Sequence, residues 1–404
     1  MNKKFNGNKL REALQFRGLR MADLARETGL SKQSISQYCS GSTEPSFSNI
    51  SKIAFALGFP TEFFLNTDVL SVKTDTTYFR SQAAATKTAQ LSQRKKMEYV
   101  GRIYNTILNY VDLPETNLPL VDFDSNADPI DADCSDMIDE IEFITDEIRD
   151  EWAIDRGPIT NLQYLLESHG IIVTGFKNVS DKIDAFSQLV EVNSNKYFIV
   201  ALSLGNKPLE RLRFDMGHEL GHILLHSWEE PNEVLSRDEF KAQEKQANMF
   251  ASALLLPKNE FIKDIALYST ELDYYIQLKK KWRVSMQAMI YRARQLDIIS
   301  WNQYSYMMRQ ISKRGWRTKE PGDVPGKLNP TIFQAAIDTL FEGGYITKQE
   351  LRMGLYRNGI FLNESDLEDL MALREGTLGI DYQDEETETG SNVLQFHIRK
   401  EYHS

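Results

Sequence analysis

Residues 218–226 read HELGHILLH and hold three of the six histidines in the chain. Neutral imidazole is a common metal ligand, and a carboxylate beside it can accept a proton from water. On a helix, His218 and His222 stand about 40° apart around the axis and about 6 Å apart along it, so both rings can reach one cation. Glu219 sits next to the first ring, where a metal-activated water would meet it. The competing reading is a core or surface helix that carries the spacing by accident, because short motifs recur.

The spacing is the HExxH of zinc peptidases, and it leaves a third ligand to be found. In EKQANMFASALLLP, residues 244–257, Ala247, Phe250, Ala251 and Leu254 form a helical core stripe that Pro257 ends. Glu244 lies three residues before Ala247, on the same face, and a carboxylate on a buried face demands a charge partner. Zinc held by His218 and His222 would supply one and complete a two-His, one-Glu set. By itself Glu244 could equally be a rim carboxylate paired with Lys or Arg. His226 is one turn past His222 and would be redundant with Glu244, so it is given a supporting or packing role. His169, His397 and His403 have no candidate partner nearby.

The elements around these residues suggest an α+β plan. A helix, ITNLQYLLESHG, precedes the strand-like runs IIVTGF, AFSQLVEV and KYFIVALSL, and a helix starting near Leu209 carries the motif. KYFIVALSL is the expected edge to which an extended substrate could add.

A second constellation lies at the amino-terminal end. Residues 8–65 read as five short helices broken at Gly18, Gly29, Gly41 and Gly58. MADLARETG ends at Gly29, and Ser31 caps a following helix, SKQSISQYCSG, which is helix-turn-helix spacing. Lys32, Gln33, Ser34 and Gln37 point away from Ile35 and suit base edges and phosphates in a major groove. A five-helix protein-binding module with a solvated polar face is the alternative.

The stretch resembles the Xre/Cro family of phage-repressor-like DNA-binding domains, including the continuation GSTEPSFSNISKIAFALG. The likeness implies Gln33, Ser34 and Gln37 as base readers, Lys32 or Ser42 as phosphate contacts, and binding as a dimer on paired half-sites. The later segments resemble the ImmA/IrrE family of metallopeptidases: Arg211 to Phe214, His218 to His222 and Glu244 to Ala251 match its motifs, with MIYRARQLDIIS and ISKRGWRTKEPG following. That likeness, over residues 150–322, implies zinc on His218, His222 and Glu244, Glu219 as general base, and a repressor or antitoxin-like protein as substrate.

Bulk properties agree with this reading. The 404 residues suggest two or three domains, and 41% hydrophobic with 26% charged residues is ordinary globular composition. Two cysteines, Cys39 and Cys134, cannot build a disulfide framework or a thiolate cage. No apolar run is long enough for a membrane span or a secretory leader, which points to the cytoplasm and to no membrane partner. The net charge of −11 is uneven: residues 1–65 carry nine Lys/Arg against five Asp/Glu, whereas residues 121–155 carry fourteen Asp/Glu against Arg149. Within 74–114 a helix of several turns ending near Pro114, and within 121–155 an acidic amphipathic helix, are expected between the two functional ends. Residues 258–316 read as helices with Trp282, Met286 and Ile290 packed on the peptidase and a faint second helix-turn-helix cadence. Residues 328–375 read as helices without recognisable chemistry, and DYQDEETETG as a loop.

The expected architecture is therefore multidomain: an all-α helix-turn-helix domain of five helices (1–68), a helical linker with the acidic segment (69–149), an α+β zinc-peptidase-like domain with a small sheet (150–322) and a helical C-terminal appendage (326–404). The expected partners are a double-stranded DNA operator, a protein substrate and a second copy of the chain. The rival function is a transcription factor or antitoxin whose peptidase-like domain senses a ligand or partner without cleaving.

Overall fold

The computed structural model describes residues 4–66, 70–79, 86–123, 135–176, 185–205, 207–226, 228 and 236–379. Cys134, part of the acidic segment, DYQDEETETG, His397 and His403 lie outside the described residues.

The amino-terminal helices are α1 (Gly7–Arg17), α2 (Met21–Thr28), α3 (Lys32–Ser40) and α4 (Phe47–Leu57), followed by a 3-10 turn, Thr61–Leu65. Each α-helix stops at a glycine of positive φ, Gly18, Gly29, Gly41 and Gly58, a conformation that costs other residues energy. Leu10, Leu24, Ile35, Ile53 and Leu57 are buried as the periodicity requires.

Four strands form one sheet in the order β1-β3-β4-β2: β1 (Val72–Phe79), β2 (Ile172–Phe176), β3 (Ala185–Val192) and β4 (Asn195–Ser203). β3 and β4 are a hairpin turned through Asn193 and Ser194, both at positive φ, and β2 joins β4 in parallel. Two expectations are corrected here. The linker expected to be helical over 69–149 contains a strand, Val72–Phe79, antiparallel to β3, and the helix expected to end near Pro114 is α5, Lys87–Ile107. The strand's partner is remote in sequence (Val72 faces Val192), so local periodicity could not reveal the pairing. KYFIVALSL is not an edge either: β4 is paired by β3 on one side and β2 on the other, which leaves its backbone no ladder to offer.

Alternate β3 residues feed two cores. Phe186, Val190 and Val192 pack with α5, and Ala185 and Leu189 pack on the opposite side. On the first face α5 lies so close that a Cβ on Gly101 would be 2.9 Å from Val190 Cγ1. The helix-turn-helix domain shares this core. Phe16 meets Tyr99 edge-on at 5.3 Å, and buried Glu12 accepts hydrogen bonds from Lys9 (2.7 Å) and the Tyr99 hydroxyl (2.8 Å).

The appendage helices α14 (Ile332–Glu342), α15 (Lys348–Arg357) and α16 (Glu364–Met371) close the same core. Arg17 donates to both carboxylate oxygens of Asp366 (2.6 and 2.5 Å), and Thr174 donates to the Leu370 carbonyl (2.6 Å).

On the second face lie α6 (Ser135–Glu151), α7 (Leu162–Ser168), α8 (Leu209–Leu225), α9 (Arg237–Leu255), α10 (Lys258–Ile265), α11 (Leu272–Trp282), α12 (Met286–Gln295) and α13 (Trp301–Lys313). Trp282, Met286 and Ile290 are buried in this core as expected. The proline- and glycine-rich segment after α13 straps the start of α8: Leu209 N–H donates to Val324 O (2.8 Å) and Gly326 N–H to Lys207 O (2.9 Å). Among the described residues no helix is long and apolar enough to cross a membrane.

Glu167, at the α7–α14 junction, accepts the Ile332 backbone N–H (2.9 Å) and a Gln163 amide N–H (3.4 Å). Burial outweighs these bonds and raises its carboxyl to about 8, from an ordinary 4.5. The folded chain then keeps a proton that the unfolded chain has released, so this contribution to stability is full below about pH 4.5 and is lost as the pH rises through about 8. We expect the wild-type unfolding free energy to fall, relative to Glu167→Gln, by on the order of a few kcal/mol between about pH 5 and 8. Parallel pH curves for the two proteins in denaturant titrations would contradict this.

Candidate metal centre

α8 and α9 cross at unusually short range, and the reason is local sequence. A Cβ on Gly221 would stand 3.1 Å from Ala247 Cα and 3.2 Å from Ala247 O, and one on Gly217 would be 3.4 Å from Ala251 Cβ. Glycines on one helix thus receive alanines of the other, which lets the side chains one turn away converge.

His218 and His222 are 0% and 1% exposed, and their Nε2 atoms are 3.0 Å apart. Glu244 Oε1 is 3.2 Å from His222 Nε2, and its Oε2 is 3.7 Å from His218 Nε2. One ligand atom from each of the three lies within 4.8 Å of the others. Burial acts to raise the Glu244 carboxyl, but hydrogen bonds and charge from His218 and His222 outweigh it and hold the group at about 2.

The rear of each ring is held as well. His218 Nδ1 meets Asn248 Oδ1 at 3.2 Å, while Asn248 donates its amide to the Glu244 carbonyl (2.7 Å). His222 Nδ1 meets His226 Nδ1 at 3.0 Å, and His226 Nε2 meets Gln246 Oε1 at 3.0 Å. His226 therefore stands behind His222 and outside the converging trio. Burial, with the His222 ring beside it, lowers the His226 imidazole to about 3, which keeps it neutral. Two facing imidazole nitrogens and a carboxylate, with ring orientations set from behind, fit a borderline cation such as zinc.

Glu219 is fully buried, and its Oε2 accepts a hydrogen bond from Ser187 Oγ at 2.7 Å. Sequence reasoning missed Ser187, Asn248 and Gln246. The available signals were a lone hydroxyl between Ala185 and Leu189 on one strand face, and an amide four residues after Glu244 on one helix face.

Of the DNA-binding candidates, Lys32, Gln33 and Ser34 open α3, Gln37 lies on its second turn and Ser42 follows its C-cap Gly41. Ser31 caps the start of the helix by accepting the Ser34 N–H (3.0 Å). Lys32, Gln33 and Ser42 are exposed, and Ser34 and Gln37 are half-buried. The Ser34 hydroxyl bonds Ser31 Oγ (2.8 Å) and the Ser42 hydroxyl bonds Ser40 Oγ (2.7 Å). α3 belongs to the core on one sheet face, and α8 to the core on the other.

We expect Gly221→Val to force α9 away from α8, lowering stability by about 1–3 kcal/mol. Metal uptake should weaken in parallel. Unchanged unfolding and unchanged zinc or cobalt titrations would show that the close crossing does not hold the trio.

Comparison with known families returns two matches. Residues 169–294 match the peptidase family described as the IrrE N-terminal-like domain, and residues 10–64 match the helix-turn-helix family. The chain thus joins a helix-turn-helix domain to an IrrE/ImmA-type peptidase domain, and the match over residues 169–294 contains the whole His218, His222 and Glu244 group. No curated protein matches the chain.

Proposed function

We propose that the protein is a cytoplasmic DNA-binding transcriptional regulator whose second domain is a zinc-dependent endopeptidase. What carries this reading is the convergence of His218, His222 and Glu244 with Glu219 buried beside them. His218, His222 and Glu244 would hold the zinc, which supplies a Lewis acid and lowers the pKa of water.

The remaining chemistry belongs to the chain. Ser187 holds Glu219 Oε2, so the proton that Glu219 takes from the attacking water resides on Oε1, and the same carboxyl returns it to the departing amine. Asn248 and His226 keep the two rings aimed at the trio. A sensing domain without catalysis has no use for a buried carboxylate in that position. The proposed substrate is a repressor or antitoxin-like protein whose cleavage alters gene expression.

At the other end, Gln33, Ser34 and Gln37 would read bases, with Lys32 and Ser42 on phosphates. A homodimer on paired half-sites fits the module.

Purified protein should hold about one zinc per chain, and Glu219→Gln should retain the metal and DNA binding while losing cleavage. The check is metal analysis together with a comparison of proteins cleaved in cells carrying each form. If Glu219→Gln preserves the biological output, the domain acts as a sensor or antitoxin and the protease reading falls.

On duplexes selected from a random pool, Gln33→Ala or Gln37→Ala should relax base preference, losing about 1–3 kcal/mol for each bidentate contact. Lys32→Ala should weaken binding alike across sequences and reduce the salt slope by about 1. Selectivity untouched by both glutamine variants would move the reading surface elsewhere.

A further inference from the structure

Beside the trio opens a cavity of about 570 Å³, whose lining includes Glu244 and Asn248. Its apolar wall is Phe214, Phe240 and Tyr291, and four basic residues, Arg211, Lys241, Lys245 and Arg317, also line it. The acidic lining residues apart from Glu244 are engaged within the walls. Asp215 is 3.5 Å from Lys207 Nζ, and Lys279 binds both Glu320 (3.0 Å) and Asp323. Glu320 also accepts the backbone N–H groups of Met286 and Gln287 at the start of α12. Among the described residues, Lys241 pairs across the solvent-exposed side of α9 with Asp238, an ion pair that contributes little and is easily exchanged. The cavity therefore offers an incoming chain apolar contact and positive charge.

The same sign extends beyond the cavity. Residues 279–319 hold eleven Lys/Arg against Asp297 alone, in a chain whose net charge is −11. Arg309, Lys313, Arg314, Arg317 and Lys319 are all exposed there. Tyr291, on the cavity wall, is followed outward by Tyr304 at 6.2 Å and Trp301 at 5.3 Å from Tyr304, and Trp301 is 62% exposed. Trp301 and Tyr304 stack on each other, which uses a face of each ring that a stacked nucleobase would need. A cavity of about 570 Å³ with an apolar wall, reaching Glu244 of the trio, also suits a polypeptide better than a phosphodiester strand.

We infer that this cleft selects an acidic polypeptide segment carrying an aromatic or large apolar anchor, with Arg317 and Lys241 setting the charge preference. The inference rests on the peptidase reading and names the substrate class of that site. Phe214, Phe240 and Tyr291 take the anchor, while the basic rim pairs with Asp or Glu side chains flanking it.

The test uses full-length, zinc-loaded Glu219→Gln protein and fluorescence anisotropy, so binding is read without cleavage. The probes are a labelled Glu/Phe/Ala peptide, the same peptide with Lys in place of Glu, and single-stranded oligothymidylate. The Glu peptide should bind at least about tenfold more tightly than the Lys peptide. Adding Lys241→Glu and Arg317→Glu should abolish or invert that preference, whereas Arg317→Lys should keep it; the thermal midpoint of each variant reports whether it folds. Equal binding of the two peptides, a preference unmoved by the charge reversals in folded protein, or tight oligothymidylate binding that displaces the Glu peptide would each overturn the inference. These outcomes leave the peptidase reading standing, because that reading fails instead on absent zinc or on undiminished output from Glu219→Gln.

Discussion

The close crossing of α8 and α9 is the constraint on which the candidate centre depends. Gly217 and Gly221 have no Cβ where Ala251 and Ala247 press against them, and only that clearance brings the Nε2 atoms of His218 and His222 within reach of Glu244. Apolar residues of α9 press on the same crossing: a Cβ on Gly221 would stand 3.1 Å from Phe250 Cδ1, and one on Gly217 3.7 Å from Leu255 Cδ1. Hydrophobic packing thus sets the distance, and the polar trio occupies the resulting gap. A half-buried carboxylate beside two buried imidazoles is unfavourable unless charge is matched, which makes the group a natural cation site.

The sheet is the second organising element, because both of its faces are covered. One face supports α8 and the converging trio, with Ser187 reaching from β3 to Glu219. The other supports α5, against which the helix-turn-helix domain and the appendage pack in one continuous core. The DNA-binding domain is consequently not a bead on a tether. Arg17, at the end of α1, bonds both oxygens of Asp366 on α16, and it also donates to the Leu57 carbonyl (2.7 Å), so a single guanidinium joins the first and last parts of the described chain. A change of packing on either face of the sheet has a contiguous route to the other through β3.

Much of the candidate site was legible because it is local. HELGHILLH and EKQANMFASALL are each one helix, and helical spacing alone places His218 beside His222 and Glu244 on the face of Ala247 and Ala251. The four amino-terminal α-helices were equally readable from glycine stops and apolar periodicity, and the fifth expected helix is the 3-10 turn Thr61–Leu65. Ser187, Asn248 and Gln246 were not, since nothing in a single strand or helix reports which neighbour its polar side chain will meet.

By itself the sequence determined the helix-turn-helix segment, the motif-bearing helices and the chemistry of their donors, since these follow from side-chain type and a 3.6-residue period. Only the tertiary structure decided that Val72–Phe79 is a strand, that β4 lies inside the sheet, and that the appendage closes the core shared with the DNA-binding domain. Strand order and interdomain packing depend on partners far away in the chain, and the free energy that selects them comes from burying both faces of the sheet at once.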